Sequence, residues 1–339
     1  MVSKISAIAL IDSCSIHSRS IGSQEIFRKD SIFPQIHTFR VLEEIFRVLG
    51  EAMARALDVC PARCVASAAG AVPTNSSKPR LALVRGVPHT FSSCITMEKS
   101  EAAIDVELAR KQHSDYVNIL RELVDHVVEL SPMDEFPDCP FIEDTAVVIG
   151  SKALITRPGA SLRRGEVEAV EAELRNLGFE IHNVEPPGTI DGGDVLYVQN
   201  TLFVGKSMRT NSRGIEALAR AFSPIPVVPI DVAETLHLKS VLSPLGRNSF
   251  LAEETFHAKQ MLELIRKASM DSCDCVFTPH QGAANLLWVG NTLVYPSAYP
   301  CGSDLAELYA NSAERVIPAN ISEFHKGDGG LTCLSIVID

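Results

Sequence analysis

One polar position recurs along this chain at a fixed interval and dominates what the chain can fold into. Glu143, Asp191, His237, Asn285 and Cys333 follow one another at a period of about 47 residues. Each opens an apolar run: 141–149, 189–197, 235–242, 282–289 and 329–338. Three of these runs pass through a short polar break into a second apolar run, at 153–156, 201–205 and 292–295, which is the signature of a hairpin. Helical stretches lie between the hairpins. Residues 164–178 carry Val167, Val170, Leu174 and Leu177 on one face with Gly178 as a stop, and residues 213–222 form a second such stretch. A unit of hairpin, helix and strand cannot bury its apolar face alone, so successive units must stack around a common axis. Five units predict a closed, five-bladed α/β propeller of ββαβ repeats. In such a ring the equivalent residues converge on the axis, so Glu143, Asp191, His237 and Cys333 are expected to share one pocket.

Taken singly, these residues are unremarkable in kind: a buried cysteine usually acts as a small apolar core residue, and acidic residues ahead of strands usually form turns. Independent turn residues, however, have no reason to fall at one phase of a repeat, and that coincidence favours a functional reading. Composition narrows the class of chemistry. A chain of 339 residues with 46% hydrophobic and 22% charged residues can bury an enzyme-sized core. Its net charge of -11, with no basic patch, argues against a nucleic-acid partner and suits a cationic small molecule. No apolar run approaches the roughly 18 to 20 residues of a membrane span. The nine cysteines show neither a disulfide framework nor paired zinc-ligand spacing. They read as reduced thiols of a cytoplasmic protein, with no metal site.

The repeating pattern begins near Arg80, so the chain divides into an N-terminal extension, 1–78, and a catalytic propeller domain, 79–339. The extension reads as largely flexible, with one amphipathic helical stretch at 37–57 and a small-residue linker at 66–77. Its apolar start, 5–11, is too short for a secretory signal; mitochondrial targeting by the extension is the alternative to a cytoplasmic location.

From about Arg80 onward the chain resembles the dimethylarginine dimethylaminohydrolases of the guanidino-modifying, pentein-fold superfamily. The resemblance is carried by Leu-Ile-Thr-Arg-Pro-Gly-Ala at 154–160, Asp-Gly-Gly-Asp-Val-Leu at 191–196, Arg-Thr-Asn-Ser-Arg-Gly at 209–214, Leu-His-Leu-Lys-Ser at 236–240 and Leu-Thr-Cys at 331–333. It implies cofactor-free hydrolysis of asymmetric dimethylarginine and monomethylarginine to citrulline and a methylamine. Cys333 would be the nucleophile, His237 the general acid and base, and Asp191 the residue that orients the histidine. Asp138, Glu143 and Asp144 match positions that hold the cationic head or the loop above it. Arg163 and Arg209 match arginines that bind the substrate carboxylate, Thr96 a lid position, and Gly327 a backbone contact. The chain departs from the family in having Leu334 where a second cysteine often follows the nucleophile, and Thr96 where vertebrate members carry an aliphatic residue. With so many carboxylates near it, the empty site's thiol is expected to titrate at or above its ordinary value. Monomer or homodimer both fit. Arginine deiminase, amidinotransferase and a non-catalytic propeller that binds partners are the rival readings.

Overall fold

The computed structural model describes residues 81–97, 102–246, 249–268, 274–298 and 303–338, which lie in the unit from Pro73 to Asp339. The extension read over 1–78, with its helical stretch and linker, lies outside the described residues. Among the described residues the strands form five three-stranded sheets, one per repeat. In the first sheet β1 (Leu81–Arg85) is followed by helix α1 (Val106–Leu123) and β2 (His126–Leu130), while β15 (Ile336–Ile338) completes it. The second sheet is β3 (Ala146–Ile149), β4 (Lys152–Ile155), α2 (Val167–Asn176) and β5 (Glu180–Asn183). The third is β6 (Val195–Val198), β7 (Thr201–Lys206), α3 (Ser212–Ala221) and β8 (Val227–Asp231). A single helical turn, α4 (Leu238–Val241), leads into the fourth: β9 (Leu242–Pro244), β10 (Ser249–Glu253), α5 (Phe256–Ala268) and β11 (Asp274–Thr278). The fifth is β12 (Leu287–Val289), β13 (Thr292–Pro296), α6 (Ser303–Ser312) and β14 (Arg315–Ala319), after which α7 (Ser322–His325) returns the chain towards the first. Every sheet repeats one pattern: the first strand pairs antiparallel with the middle one, and the middle one pairs parallel with the last across a helix. Parallel pairs require such a crossover.

The middle strands are apolar on both faces because both are covered. In β1, Leu81 and Leu83 point into one apolar cluster and Ala82 and Val84 into another. The same period-2 split divides Leu251 of β10 from Phe250 and Ala252. Five clusters result, and each joins neighbouring sheets. Leu81 and Ile336 meet Ala153 and Leu174; Leu154 meets Leu202 and Leu218; Leu196 and Phe203 meet Phe250 and Met261; Leu251 meets Leu286 and Leu293; and Val294 meets Val84 and Tyr116. The last link closes the circle, giving the five-bladed propeller anticipated from the repeat.

Local chemistry sets the helix limits. Asp105 caps α1 by accepting from Leu108 N at 3.0 Å, and Asn211 caps α3 by accepting from Gly214 N at 3.0 Å. The helical stretch read from 164 begins as a tight 3-10 segment, Ser161–Glu166, and becomes α-helical only at Val167, because Arg163 and Glu166 turn inward to a buried polar cluster. No helix among the described residues is long and apolar enough to cross a membrane.

Candidate active site

A tight turn precedes the first strand of each sheet, and these turns carry the recurring residues to one end of the axis. Glu143 and Asp144 sit in the turn Ile142–Thr145 and Asp194 in Gly192–Asp194, directly after Asp191. His237 immediately precedes α4, and Cys333 lies in the turn Thr332–Leu334. The glycines of the Asp-Gly-Gly-Asp run permit this convergence. A Cβ at Gly192 would lie 2.0 Å from the Glu143 carbonyl oxygen, and one at Gly193 would lie 2.6 Å from His237 Nδ1.

His237 is buried between carboxylates. Its Nε2 lies 3.0 Å from Asp191 Oδ2 and 4.0 Å from Asp144 Oδ1. Burial alone would lower its pKa, but Asp144, the Asp191 hydrogen bond and Asp194 override that and raise it to about 9. Burial would raise the Asp144 pKa, yet His237 and Arg163 hold its carboxyl well below the usual carboxylate range. The neutral-pH site thus contains an imidazolium flanked by carboxylates. Asp191 Oδ1 accepts from Gly159 N at 2.8 Å, which fixes the carboxylate against the ring. Asp194, to which the sequence reading gave no role, accepts from Leu238 N at 3.0 Å and from Thr210 Oγ1 at 2.7 Å, anchoring the backbone that carries His237. Asp144, Asp191 and His237 lie close enough to ligate one ion. Their oxygens are already engaged, however: Asp144 accepts from Gly193 N at 2.9 Å and from Arg163 Nη1 at 2.6 Å, and Asp191 from Gly159 and His237. This donor set is wired to hold a proton on histidine.

Cys333 is half-buried, with its Sγ 3.4 Å from Gly330 N. Burial, then Glu143 and Asp144, push its thiol up to about 12. Glu143 is itself paired: Oε1 takes the Lys239 ammonium and Oε2 accepts from Thr332 Oγ1 at 2.8 Å. Neither Lys239 nor Thr332 was given a role from sequence, although both lie inside the motifs around His237 and Cys333. Asn285 occupies the fifth equivalent position and binds across the axis, from Nδ2 to Lys239 O at 2.8 Å and from Thr332 N to its Oδ1 at 2.9 Å.

The two arginines differ. Arg163 is buried and committed: Nε and Nη2 reach Glu166 at 3.0 and 2.9 Å, Nη2 also donates to Phe141 O at 2.9 Å, and Nη1 holds Asp144. Among the described residues, the Arg209 guanidinium has no hydrogen-bond or ion-pair partner, and it lines a narrow recess of about 20 Å³ together with Asp138, Asp144, His237, Gly327 and Cys333. Asp138 is buried and accepts from Ile95 N at 3.2 Å, so it tethers the loop above the recess. Gly327 touches that loop: a Cβ there would lie 2.9 Å from Cys94 Sγ. Thr96 lies between Ile95, which lines the recess, and Met97, which lines a larger cavity of about 1050 Å³; Thr96 itself lines neither. Cys333, Leu236, Asp328 and Gly329 border both spaces, so the sulfur stands at their junction. None of the four described cysteines, Cys94, Cys139, Cys275 and Cys333, forms a disulfide.

Comparison with known proteins agrees with this geometry. Residues 97–287 match the model of the arginine deiminase family. The chain is 34% identical over 260 residues to the N(G),N(G)-dimethylarginine dimethylaminohydrolase of Streptomyces coelicolor, covering 75% of this chain and 95% of that protein. It is 31% identical over 237 residues to the enzyme of the same name from Pseudomonas aeruginosa, covering 68% and 89% of the two chains. The solved structure of a variant of the P. aeruginosa dimethylarginine dimethylaminohydrolase with citrulline superposes with a TM-score of 0.69 at 27% identity, covering 77% of this chain and 100% of that one. The chain therefore belongs to the dimethylarginine dimethylaminohydrolase and arginine deiminase family of pentein-fold proteins, and is a hydrolase of carbon–nitrogen bonds in linear amidines.

Proposed function

We propose that this protein hydrolyses Nω-methylated arginines to citrulline and a methylamine through a covalent intermediate on Cys333. The observation that carries the proposal is one recess bordered by the Cys333 sulfur, the His237 imidazole, the buried carboxylates Asp138 and Asp144, and Arg209, whose guanidinium has no hydrogen-bond or ion-pair partner among the described residues. A guanidinium buried there finds Asp144 and the carboxylates around it, and the substrate's own carboxylate finds the Arg209 fork, which suits bidentate pairing. Arg163, with its donors committed, holds Asp144 in register with His237.

Charge governs the order of steps. In the empty site the thiol is neutral, because burial and then the nearby Glu143 and Asp144 carboxylates disfavour its charged form. A bound guanidinium reverses the local charge and favours the thiolate, the thiol proton leaving to solvent, so the substrate activates its own nucleophile. The thiolate adds to the guanidinium carbon, His237 gives a proton to the departing amine, and the carbon–nitrogen bond breaks to leave an S-alkylthiouronium. The now neutral imidazole takes a proton from water, the resulting hydroxide adds to the same carbon, and the carbon–sulfur bond breaks as the adduct's hydroxyl proton passes to the leaving sulfur, with His237 left protonated as at the start. Citrulline and free Cys333 result.

The rival reading, hydrolysis of unmodified arginine, is favoured by the family match over residues 97–287. Citrulline formation from dimethylated, monomethylated and unmodified arginine, measured in parallel, separates the two. Turnover of the methylated substrates with little on arginine supports the proposal. Preference for arginine selects the deiminase reading, and absence of citrulline from all three rejects both.

A further inference from the structure

Around the axis, four residues from four different blades form a closed ring of contacts. The Lys239 ammonium pairs with Glu143 Oε1. Glu143 Oε2 accepts from Thr332 Oγ1 at 2.8 Å. Thr332 is held by Asn285 through its N–H at 2.9 Å and its hydroxyl at 3.1 Å, and Asn285 Nδ2 returns to Lys239 O at 2.8 Å. Thr332 is the residue directly before Cys333, and Lys239 lies two residues after His237. The ring therefore joins the backbone carrying the sulfur to the backbone carrying the acid. The ion pair within it is nearly enclosed, with side-chain exposures of 15% for Lys239 and 13% for Glu143.

We propose that Lys239 is a positioning residue for the nucleophile, acting through Glu143 and Thr332: it neutralises the carboxylate beside Cys333 and holds it as the acceptor that orients the Thr332–Cys333 turn. This inference rests on Cys333 being the nucleophile. Among the described residues, the charged and titratable groups near the sulfur are Glu143 and Asp144 from one turn, His237 and Lys239 from another, and Tyr116 from α1, while Asp138, Arg163, Arg209 and Asp328 also line the recess that the sulfur borders. Lys239 is the cation that opposes Glu143 in this set. With its ammonium removed, Glu143 becomes an unpaired carboxylate next to the thiol, and thiolate formation is disfavoured further.

The test is the rate of Cys333 alkylation by neutral iodoacetamide between pH 7 and 10, read by peptide mass spectrometry in the full chain alongside kcat/KM over the same range. Lys239→Met should slow alkylation at a given pH by roughly ten- to a hundredfold and displace the kcat/KM profile to higher pH. Lys239→Arg, which keeps the charge, should stay within about threefold of wild type. Adding Glu143→Gln to Lys239→Met removes the unpaired carboxylate and should restore the alkylation rate. Wild-type alkylation in Lys239→Met overturns the proposal, as does a double variant that remains as slow as the single one. Should Lys239→Met not accumulate as folded protein, Glu143→Gln alone carries the test: faster alkylation than wild type supports the link, and an unchanged or slower rate rejects it. Alkylation reports on the sulfur whichever substrate is turned over, so failure of the proposed function, seen as turnover surviving in Cys333→Ser, is distinguishable from failure of this inference.

Discussion

What surrounds His237 suits it to the proposed role of general acid. An isolated buried imidazole loses its proton, yet three carboxylates raise this one to about 9. The folded value lies above the ordinary value of about 6.5, so the protonated ring stabilises the fold fully below about pH 6.5, and that contribution is lost as pH rises through about 9. Histidine-selective NMR on the empty enzyme should find the His237 midpoint near 9; a midpoint below about 6.5 would show that the carboxylates fail to hold the proton. The arginines make a second contrast at this scale. Arg209→Ala should mainly raise KM, by about 2 to 4 kcal/mol of lost charge-assisted pairing, with little change in kcat. Arg163→Ala strands Glu166 and Asp144 as buried, unpaired carboxylates, and should cost about 3 to 5 kcal/mol of stability in denaturant unfolding and lower kcat. Equal effects of the two on KM alone would contradict the assignment. From sequence, Arg163 and Arg209 are alike: both are arginines in family motifs. Only the fold reveals that one guanidinium is enclosed by Glu166 and Asp144 while the other has no hydrogen-bond or ion-pair partner among the described residues.

At the scale of elements, the repeat was legible because period-2 and helical spacings are local properties of the chain. Hairpins, crossover helices and the phase of Asp191, His237 and Cys333 could all be read from it. The start of α2 could not, since the inward turn of Arg163 and Glu166 depends on distant partners. Cross-axis contacts were hidden for the same reason: Thr332 and Glu143 meet across 189 positions, a pairing that exists only once the ring closes. Two substitutions separate scaffold from site. Leu174→Ala, in the fully buried face of α2, should cost about 2 to 5 kcal/mol of stability and leave kcat per folded molecule unchanged. Gly193→Ala pushes a methyl against the His237 ring, so it should lower kcat by at least about tenfold, the factor expected from displacing a general acid. Unfolding and single-substrate kinetics on both proteins check this contrast; a Leu174→Ala enzyme that stays folded but loses kcat would refute it.

Across the whole molecule, the propeller gathers residues far apart in sequence at one end of an axis, and the chain's net charge of -11 favours a cationic substrate. Five interface clusters hold the blades, and the pairing of β15 with β1 sets Cys333 opposite Glu143 and Asp144. The central claim, that this arrangement makes Cys333 a nucleophile toward the guanidinium carbon of a methylated arginine, is tested most directly by rapid acid quench of the enzyme turning over dimethylarginine, followed by peptide mass mapping. A substrate-derived thiouronium, formed with loss of dimethylamine and located on Cys333, is the predicted result, with no adduct and turnover lowered by roughly two to four orders of magnitude in Cys333→Ala. An adduct on another cysteine, or a Cys333→Ala enzyme within about tenfold of wild type, would contradict it.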